Sequence, residues 1–410
     1  MSLPRAGLWI ACLLQTACSL LAQQATGTLK EVDPQNGFLV VWARGQDRTL
    51  KADENTRVLD AAGRELADGL GAAELKAGVE VTVTVERRNG QMFLKTLRLG
   101  RAEAPTAEGG KPTVGFKPLN EMTSEDEYKG EDGGLYGGGK NDPPAAHLAA
   151  AKGEAALPVP LDAEGKPSKD GVVVLVSISM SNATQEFSTF KSIADRDADK
   201  SESLTIVDCA QGGQAMAQWA PADAKTWTEA ERRLKAAGVT PAQVQVAWIK
   251  LANVRPAGDL AEHGKKLQQD TIAVLHNARE RFPNLRVAYL GSRIYAGYAG
   301  TALNPEPYAY EGAFVVRWLI QDQIEGDPDL NWDAKLGAVK APLLLWGPYL
   351  WADGTTPRKD DGLVWERGDL GGDGTHPSDS GRQKVANLLL TFFKTDPVAR
   401  TWFTQSGRGK

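Results

Sequence analysis

Apolar and polar positions alternate along the first hundred residues, and then the period changes. Between residue 24 and about residue 100, short alternating stretches recur: Thr26 to Leu29, Phe38 to Trp42, Thr56 to Leu59, Val79 to Val85 and Met92 to Leu97. Asp33-Pro34, Asn36-Gly37, Gly63 and Asn89-Gly90 punctuate them as turns. This pattern predicts a small all-β barrel of five or six strands. From about residue 170, apolar runs alternate with longer segments of helical period. Val172 to Ile178, Leu204 to Val207, Val244 to Leu251, Leu285 to Leu290 and Pro342 to Trp346 read as buried strands. Glu186 to Asp197, Thr226 to Ala237, Asp259 to Arg281, Tyr310 to Gln323 and Ser380 to Phe393 read as helices. Thr228, with Glu231 three residues on, reads as a helix cap. Alternating strands and helices predict an α/β fold whose parallel sheet is covered on both faces.

The segments around these two regions complete the organisation. Residues 1–22 read as an export signal: Arg5 supplies the positive start, Leu8 to Leu14 the short apolar stretch, and Ala22 the cleavage position. Gln15 and Thr16 interrupt that stretch, which is too short to span a bilayer. Lipid anchoring at Cys18 ranks lower, because Gln15 fits a lipobox poorly. Residues 23–100 form the barrel unit, 101–116 read as an Ala-, Pro-, Gly- and charge-rich linker, and 117–410 form the α/β unit. Within the latter, Tyr128 to Gly130 and Gly133 to Asn141 read as an ordered loop wrapping the domain, with more flexible linker as the alternative. A phosphate loop is a poor alternative, because no strand precedes it and Asn141, not Ser or Thr, follows Lys140.

Composition narrows the function. The 410 residues carry a formal charge of −5, with no basic stripe, which argues against a nucleic-acid partner. Of three cysteines, Cys12 and Cys18 fall in the signal, so the mature chain keeps Cys209, expected as a small buried hydrophobe. No run in the mature chain is long enough to cross a membrane. There is no His-Glu-x-x-His and no paired CxxC, and no metal or cofactor is expected. Asp360, Asp361, Asp369 and Asp373 make an acidic stretch that could take Ca²⁺, but Lys359 and Arg367 interrupt it and a solvated loop is the preferred reading.

The chemistry concentrates at Asp373-Gly374-Thr375-His376 and Ser181. An Asp three residues before a His can share its turn, fixing the imidazole tautomer and supporting an imidazolium. Ser181 follows the first strand of the α/β unit, where a nucleophile would meet such a base. Gly213 and Asn253 also fall just beyond strand ends, where sites form in parallel sheets. His147 is expected to be structural or a loop contact, and His263 and His276 to be surface or packed helix residues.

These residues resemble the catalytic blocks of the SGNH (GDSL-type) hydrolases, over residues 120 to 405. The resemblance implies a flavodoxin-like three-layer α/β/α sandwich and a serine esterase. Ser179-Met180-Ser181 stands where the family has Gly-Asp-Ser, implying Ser181 as nucleophile and oxyanion donor. Val207 to Gln214 carries the oxyanion glycine, Gly213, with Gly212 the runner-up. Leu251-Ala252-Asn253-Val254 stands for Gly-x-Asn-Asp, implying an Asn253 side-chain donor, and Asp373 to His376 closes the set. Ser179, Met180, Leu251 and Val254 depart from the family and mark a divergent branch.

Trp332, Trp346, Trp351 and Trp365, with Tyr295 and Tyr298, fall near late strand ends. Their faces suggest sugar stacking and hence a periplasmic or extracellular polysaccharide deacetylase; a small-molecule ester is the other substrate class. The competing readings are a non-catalytic glycan-binding protein on the same scaffold and an adhesive exported protein acting through its barrel, which resembles accessory modules with a Gly-strand-turn-strand opening.

Overall fold

A computed structural model describes residues 23–43, 46–61, 64–88, 91–100 and 110–405. The export signal, Cys12, Cys18 and Ala22, and the linker as far as residue 109 lie outside the described residues. Contacts divide the chain into two compact units between residues 106 and 107.

The first unit is a six-stranded sheet: β1 (Gln23–Asp33), β2 (Phe38–Ala43), β3 (Gln46–Lys51), β4 (Arg57–Leu59), β5 (Glu80–Arg88) and β6 (Gln91–Leu99). The order is β3-β2-β1-β5-β6-β4, and a further β3–β6 pairing closes it on itself. Alternation places Leu29, Leu39, Val41, Leu50, Val81, Val83, Val85, Leu94 and Leu97 inside. Register shifts between Leu29 and Glu31 and between Thr84 and Val85 accompany the bending that closure requires. Strand β3 escaped the sequence pattern because Gln46-Asp47-Arg48-Thr49-Leu50-Lys51 is nearly all polar; only Leu50 of its described side chains is buried.

The second unit runs α1 (Ala145–Ala155), β7 (Val173–Ile178), α2 (Ser181–Ala194), β8 (Leu204–Asp208), α3 (Met216–Trp219), α4 (Lys225–Ala236), β9 (Val244–Lys250), α5 (Leu260–Arg281), β10 (Val287–Gly291), α6 (Tyr308–Glu325), β11 (Leu343–Trp346), α7 (Asp379–Thr395) and α8 (Arg400–Phe403). Every sheet pairing in it is parallel, in the order β11-β10-β9-β7-β8. All residues of β7, β9, β10 and β11 are buried, the mark of strands covered on both faces. Helix α2 packs on α7, while α3, α5 and α6 pack together. Both groups of helices flank the parallel sheet. The strand order reverses at β7, so its C-terminal end opens at the crevice where α/β folds place their sites.

Helix α2 buries Ala183, Phe187, Phe190 and Ala194 along one stripe. Burying each phenylalanine contributes about 1.5–3 kcal/mol. Helix α5 starts on Asp259, whose side chain accepts the Glu262 N–H at 2.9 Å. Helix α4 corrects the expected cap: it begins at Lys225, Ala224 precedes it without a side-chain cap, and Thr228 lies inside. Its buried stripe of Trp227, Ala230 and Leu234 draws the helix back one turn.

Helix α6 is buried almost all round because the loop 119–141 covers its outer side. Arg317 Nη1 donates to the Asp132 carbonyl at 2.7 Å, and Tyr128 O–H donates to Glu311 at 2.7 Å. The predicted linker does not extend to residue 116. The Val114 and Gly115 N–H groups donate to the Asp353 carboxylate at 2.7 and 2.9 Å, fastening residues 110–116 to the α/β unit. Among the described residues no helix is long and apolar enough to cross a membrane.

Candidate active site

Helix α2 begins at Ser181 itself, five residues earlier than the apolar pattern indicated. Met180 precedes it without a side-chain cap, so the first N–H groups of the helix have no intrahelical partner. Positive potential collects there. Ser179 has φ 150°, an unusual conformation for a residue with a side chain. Its hydroxyl donates to the Lys250 carbonyl, and its own carbonyl accepts the Gln211 N–H at 2.8 Å, so packing holds the turn despite the strain.

The second segment arrives from just before α7. Asp373 Oδ1 accepts the N–H groups of Thr375 and His376, both at 3.0 Å, wrapping the chain around the carboxylate. Gly374 has φ 64°, and a Cβ there would lie 1.8 Å from the Tyr298 carbonyl oxygen; only glycine fits. Asp373 Oδ2 meets His376 Nδ1 at 2.5 Å, and His376 Nε2 meets Ser181 Oγ at 2.6 Å.

Burial alone would raise the Asp373 pKa. Hydrogen bonds from the His376 ring and from the His376 and Thr375 N–H groups outweigh it and hold the carboxyl at about 2. Asp373 is therefore ionised at neutral pH and accepts from Nδ1–H. That leaves Nε2 as acceptor for the Ser181 hydroxyl. Hydroxyl, imidazole and carboxylate in this series can move a proton off Ser181 and hold the charge that results. Ser177 at the end of β7 and Ser179 just beyond it are engaged elsewhere, Ser177 with Asp208 at 2.5 Å and Ser179 with the Lys250 carbonyl.

Gly213 sits at φ 78° in a turn closed by the Gln214 N–H on the Gln211 carbonyl at 3.2 Å. Asp208 anchors the start of this loop, accepting from the hydroxyls of Ser177, Thr184 and Ser188. Asn253 is held at both ends of its amide: Oδ1 accepts the Ala217 N–H at 2.9 Å and Nδ2 donates to Asp270 at 2.7 Å. A carboxamide has two N–H groups, so one remains beyond the Asp270 bond.

The aromatic residues expected to line the cleft do not offer stacking faces. Tyr295, Trp351 and Trp365 are fully buried, and Trp346 and Tyr298 nearly so. Tyr295 O–H donates to the Lys111 carbonyl, Trp351 Nε1 to Glu306, Trp346 Nε1 to the Leu135 carbonyl and Trp365 Nε1 to the Leu350 carbonyl. Tyr298 packs against Gly110. The cause is the covering chain: residues 110–116 and 119–141 lie over the strand ends that the sequence pattern left open. Trp332 is partly buried.

The other titratable candidates are absorbed by the fold. His147 Nε2 bonds the Leu344 carbonyl, buried His263 pairs with Glu311, and half-buried His276 meets the Asp329 carbonyl. Cys209 is buried, and burial pushes its thiol pKa up. In the acidic stretch Asp361 pairs with Arg358, Asp369 with Lys384 and Asp373 with His376, while Asp360 accepts from Asn120 Nδ2 at 3.2 Å. The described residues contain no group of three or more acidic, His or Cys side chains arranged to hold a metal.

Sequence reasoning assigned no role to Asp208 or Asp270, whose parts in the site come through Ser177, Thr184 and Ser188 for the one and Asn253 for the other.

No protein-family model matches the chain, and no curated protein matches it. Solved structures are similar in fold to its parts. Apo-CusF residues 6–88 from Escherichia coli is 11% identical, with 22% of this chain and 100% of that chain covered, at a TM-score of 0.17. The periplasmic domain of a lipopolysaccharide acetyltransferase from Salmonella ser. Paratyphi A is 14% identical over 60% of this chain and 96% of that one, at 0.32. The salicylyl-acyltransferase SsfX3 of a tetracycline biosynthetic pathway is 12% identical over 57% and 58%, at 0.29. These likenesses are too remote to carry residue roles.

Proposed function

We propose that the α/β unit is an SGNH (GDSL-type) serine hydrolase with the flavodoxin-like three-layer arrangement, cleaving acyl esters, acetyl esters foremost, in an exported protein. Residues 1–22 are then the export signal and 23–100 an accessory barrel. One observation carries the reading: Asp373, His376 and Ser181 lie in series at 2.5 and 2.6 Å, although Ser181 and His376 are 195 residues apart in sequence.

The steps follow from the geometry. His376 Nε2 takes the proton as Ser181 Oγ bonds the ester carbonyl carbon, and the carbonyl electrons move onto oxygen. The Ser181 and Gly213 N–H groups and the remaining Asn253 N–H stabilise that oxyanion. Losing one such donor costs about 10²–10³ in turnover. The tetrahedral centre collapses, the bond to the alcohol oxygen breaks, and His376 returns the proton to that oxygen. Water, deprotonated by His376, then attacks the acyl-serine; the bond to Ser181 Oγ breaks, His376 returns the proton to that oxygen, and the acid leaves.

A carbohydrate alcohol rested on the aromatic faces, and those rings are buried. The ester group itself is therefore what the site recognises in this proposal. Two measurements test it together: phosphonofluoridate labelling and turnover of a small aryl acetate. An adduct on Ser181, with turnover abolished in a folded Ser181→Ala variant, supports the hydrolase. Turnover undiminished in that variant refutes the assignment.

A further inference from the structure

We infer that Asn182 and Arg293 are positioning residues that hold the loop carrying Asp373 and His376 in register with Ser181, through one shared acceptor, the Thr375 carbonyl. The consequence for turnover rests on the hydrolase reading above; the register itself rests on geometry.

The Thr375 carbonyl precedes the His376 nitrogen directly. Asn182 Nδ2 donates to it at 3.0 Å and Arg293 Nη2 at 3.3 Å. Thr375, Asn182 and Arg293 are all at most 3% exposed, so water does not compete for these bonds. Ser181 and His376, in contrast, are only half-buried. Their mutual bond is open to exchange with water and cannot by itself fix a loop.

The two donors come from different elements. Asn182 follows Ser181 in the first turn of α2, so whatever it binds is referenced to the helix end that carries the nucleophile. Arg293 lies two residues beyond β10, so its guanidinium references the same carbonyl to the sheet. A carbonyl oxygen has two lone pairs, and these two donors fill them. The loop is triangulated one peptide away from the base.

Arg293 also belongs to a buried charge group. Glu186, one turn along α2 from Asn182, pairs with buried Lys250 at 2.5 Å. Glu186, Glu306 and Asp373 all act on the Arg293 charge. Removing Arg293 would unbalance that group, so Asn182 is the cleaner probe. On its other side the loop leans on Gly300, whose N–H donates to the Asp373 carbonyl at 2.9 Å. Loss of Asn182 should therefore displace the loop without unfolding it.

The test pairs Asn182→Ala with two readouts. The first is kcat and KM on an aryl acetate. The second is the downfield proton resonance of the His376 Nδ1–H···Asp373 bond, assigned by its absence in His376→Gln. Misplacement of a reacting group by about 1 Å costs about 10²-fold. The expected result is a kcat lower by about that factor, KM within about threefold, an unchanged thermal midpoint, and a shifted or broadened resonance. Arg293→Lys, which keeps a cationic donor, should lose less. Turnover within about threefold of wild type together with an unmoved resonance would overturn the inference, as would absence of the resonance from the wild-type protein. A wild-type chain that hydrolyses no ester, yet shows a resonance sensitive to Asn182→Ala, would remove the hydrolase reading and leave the register standing. If Asn182→Ala does not fold, Asn182→Leu fills a similar volume with no donor and carries the same readouts.

Discussion

Replacing Asp373 by Asn isolates what the carboxylate does from what it holds up. The Asp373 carboxylate makes three hydrogen bonds: Oδ1 accepts two backbone N–H groups at 3.0 Å, and Oδ2 meets His376 Nδ1 at 2.5 Å. Asparagine keeps the carbonyl oxygen for the two backbone donors, so the loop retains its turn. Its amide nitrogen then faces Nδ1 and can only donate to it. Nδ1 must become the acceptor, which moves the ring proton to Nε2. There it points at Ser181 Oγ, and the ring cannot take the hydroxyl proton. In a triad of this geometry the wrong tautomer costs about 10⁴ in kcat, equivalent to about 5.4 kcal/mol of transition-state stabilisation at 1.36 kcal/mol per decade. The assay is steady-state turnover of an aryl acetate beside thermal unfolding, with Ser181→Ala as the floor. A loss near 10⁴ with the fold intact is expected. Asp373→Asn within tenfold of wild type, with Ser181→Ala dead, would refute the tautomer argument.

Other outcomes follow from the same contacts. Gly374→Ala forces φ 64° on a residue with a Cβ and drives that carbon to 1.8 Å from the Tyr298 carbonyl oxygen. Strain of about 1–2 kcal/mol plus a backbone collision should destabilise the unit by more than about 2 kcal/mol in denaturant unfolding and remove turnover. Gly213→Ala shares the positive φ of 78° but has no atom within 4 Å. It should cost only the strain, about 1–2 kcal/mol, and its midpoint should fall far less. Acid stability offers a further check. Asp373 is held at about 2 against an ordinary 3.8, so its contribution is present above about pH 3.8 and is lost as pH falls through about 2. Thermal midpoints of wild type and Asp373→Asn should therefore converge between pH 4 and pH 2; parallel curves would contradict the assignment.

The strands and long helices of the α/β unit were legible because burial on both faces imprints a continuous apolar run, as in β7 and β9. The Asp373–His376 contact was legible for a different reason: the two residues share one turn, so their relation is local. Strand β3 was not legible, since a barrel needs its backbone more than its side chains. The start of α2 was misplaced because Ser181-Asn182-Ala183-Thr184 is polar, and its polarity serves the site rather than the core. The aromatic cleft was misread because a strand-end position says nothing about what later covers it. Residues 110–116 and 119–141 do the covering, by hydrogen bonds to Asp353, Glu311 and Arg317 that no local pattern announces.

Hydrophobic period and short-range turn chemistry are properties of neighbouring residues, and by themselves they determined the alternation of strands and helices, the Asp373–His376 turn and the strand end at which Ser181 stands. Tertiary structure alone decided that Ser181 meets His376, that Asn182 and Arg293 converge on one buried carbonyl, and that Tyr295, Tyr298, Trp346 and Trp351 are core. Those are contacts across 45 to 211 residues of chain, and they exist only because the parallel sheet brings its strand ends to one edge, where loops distant in sequence must share the same space.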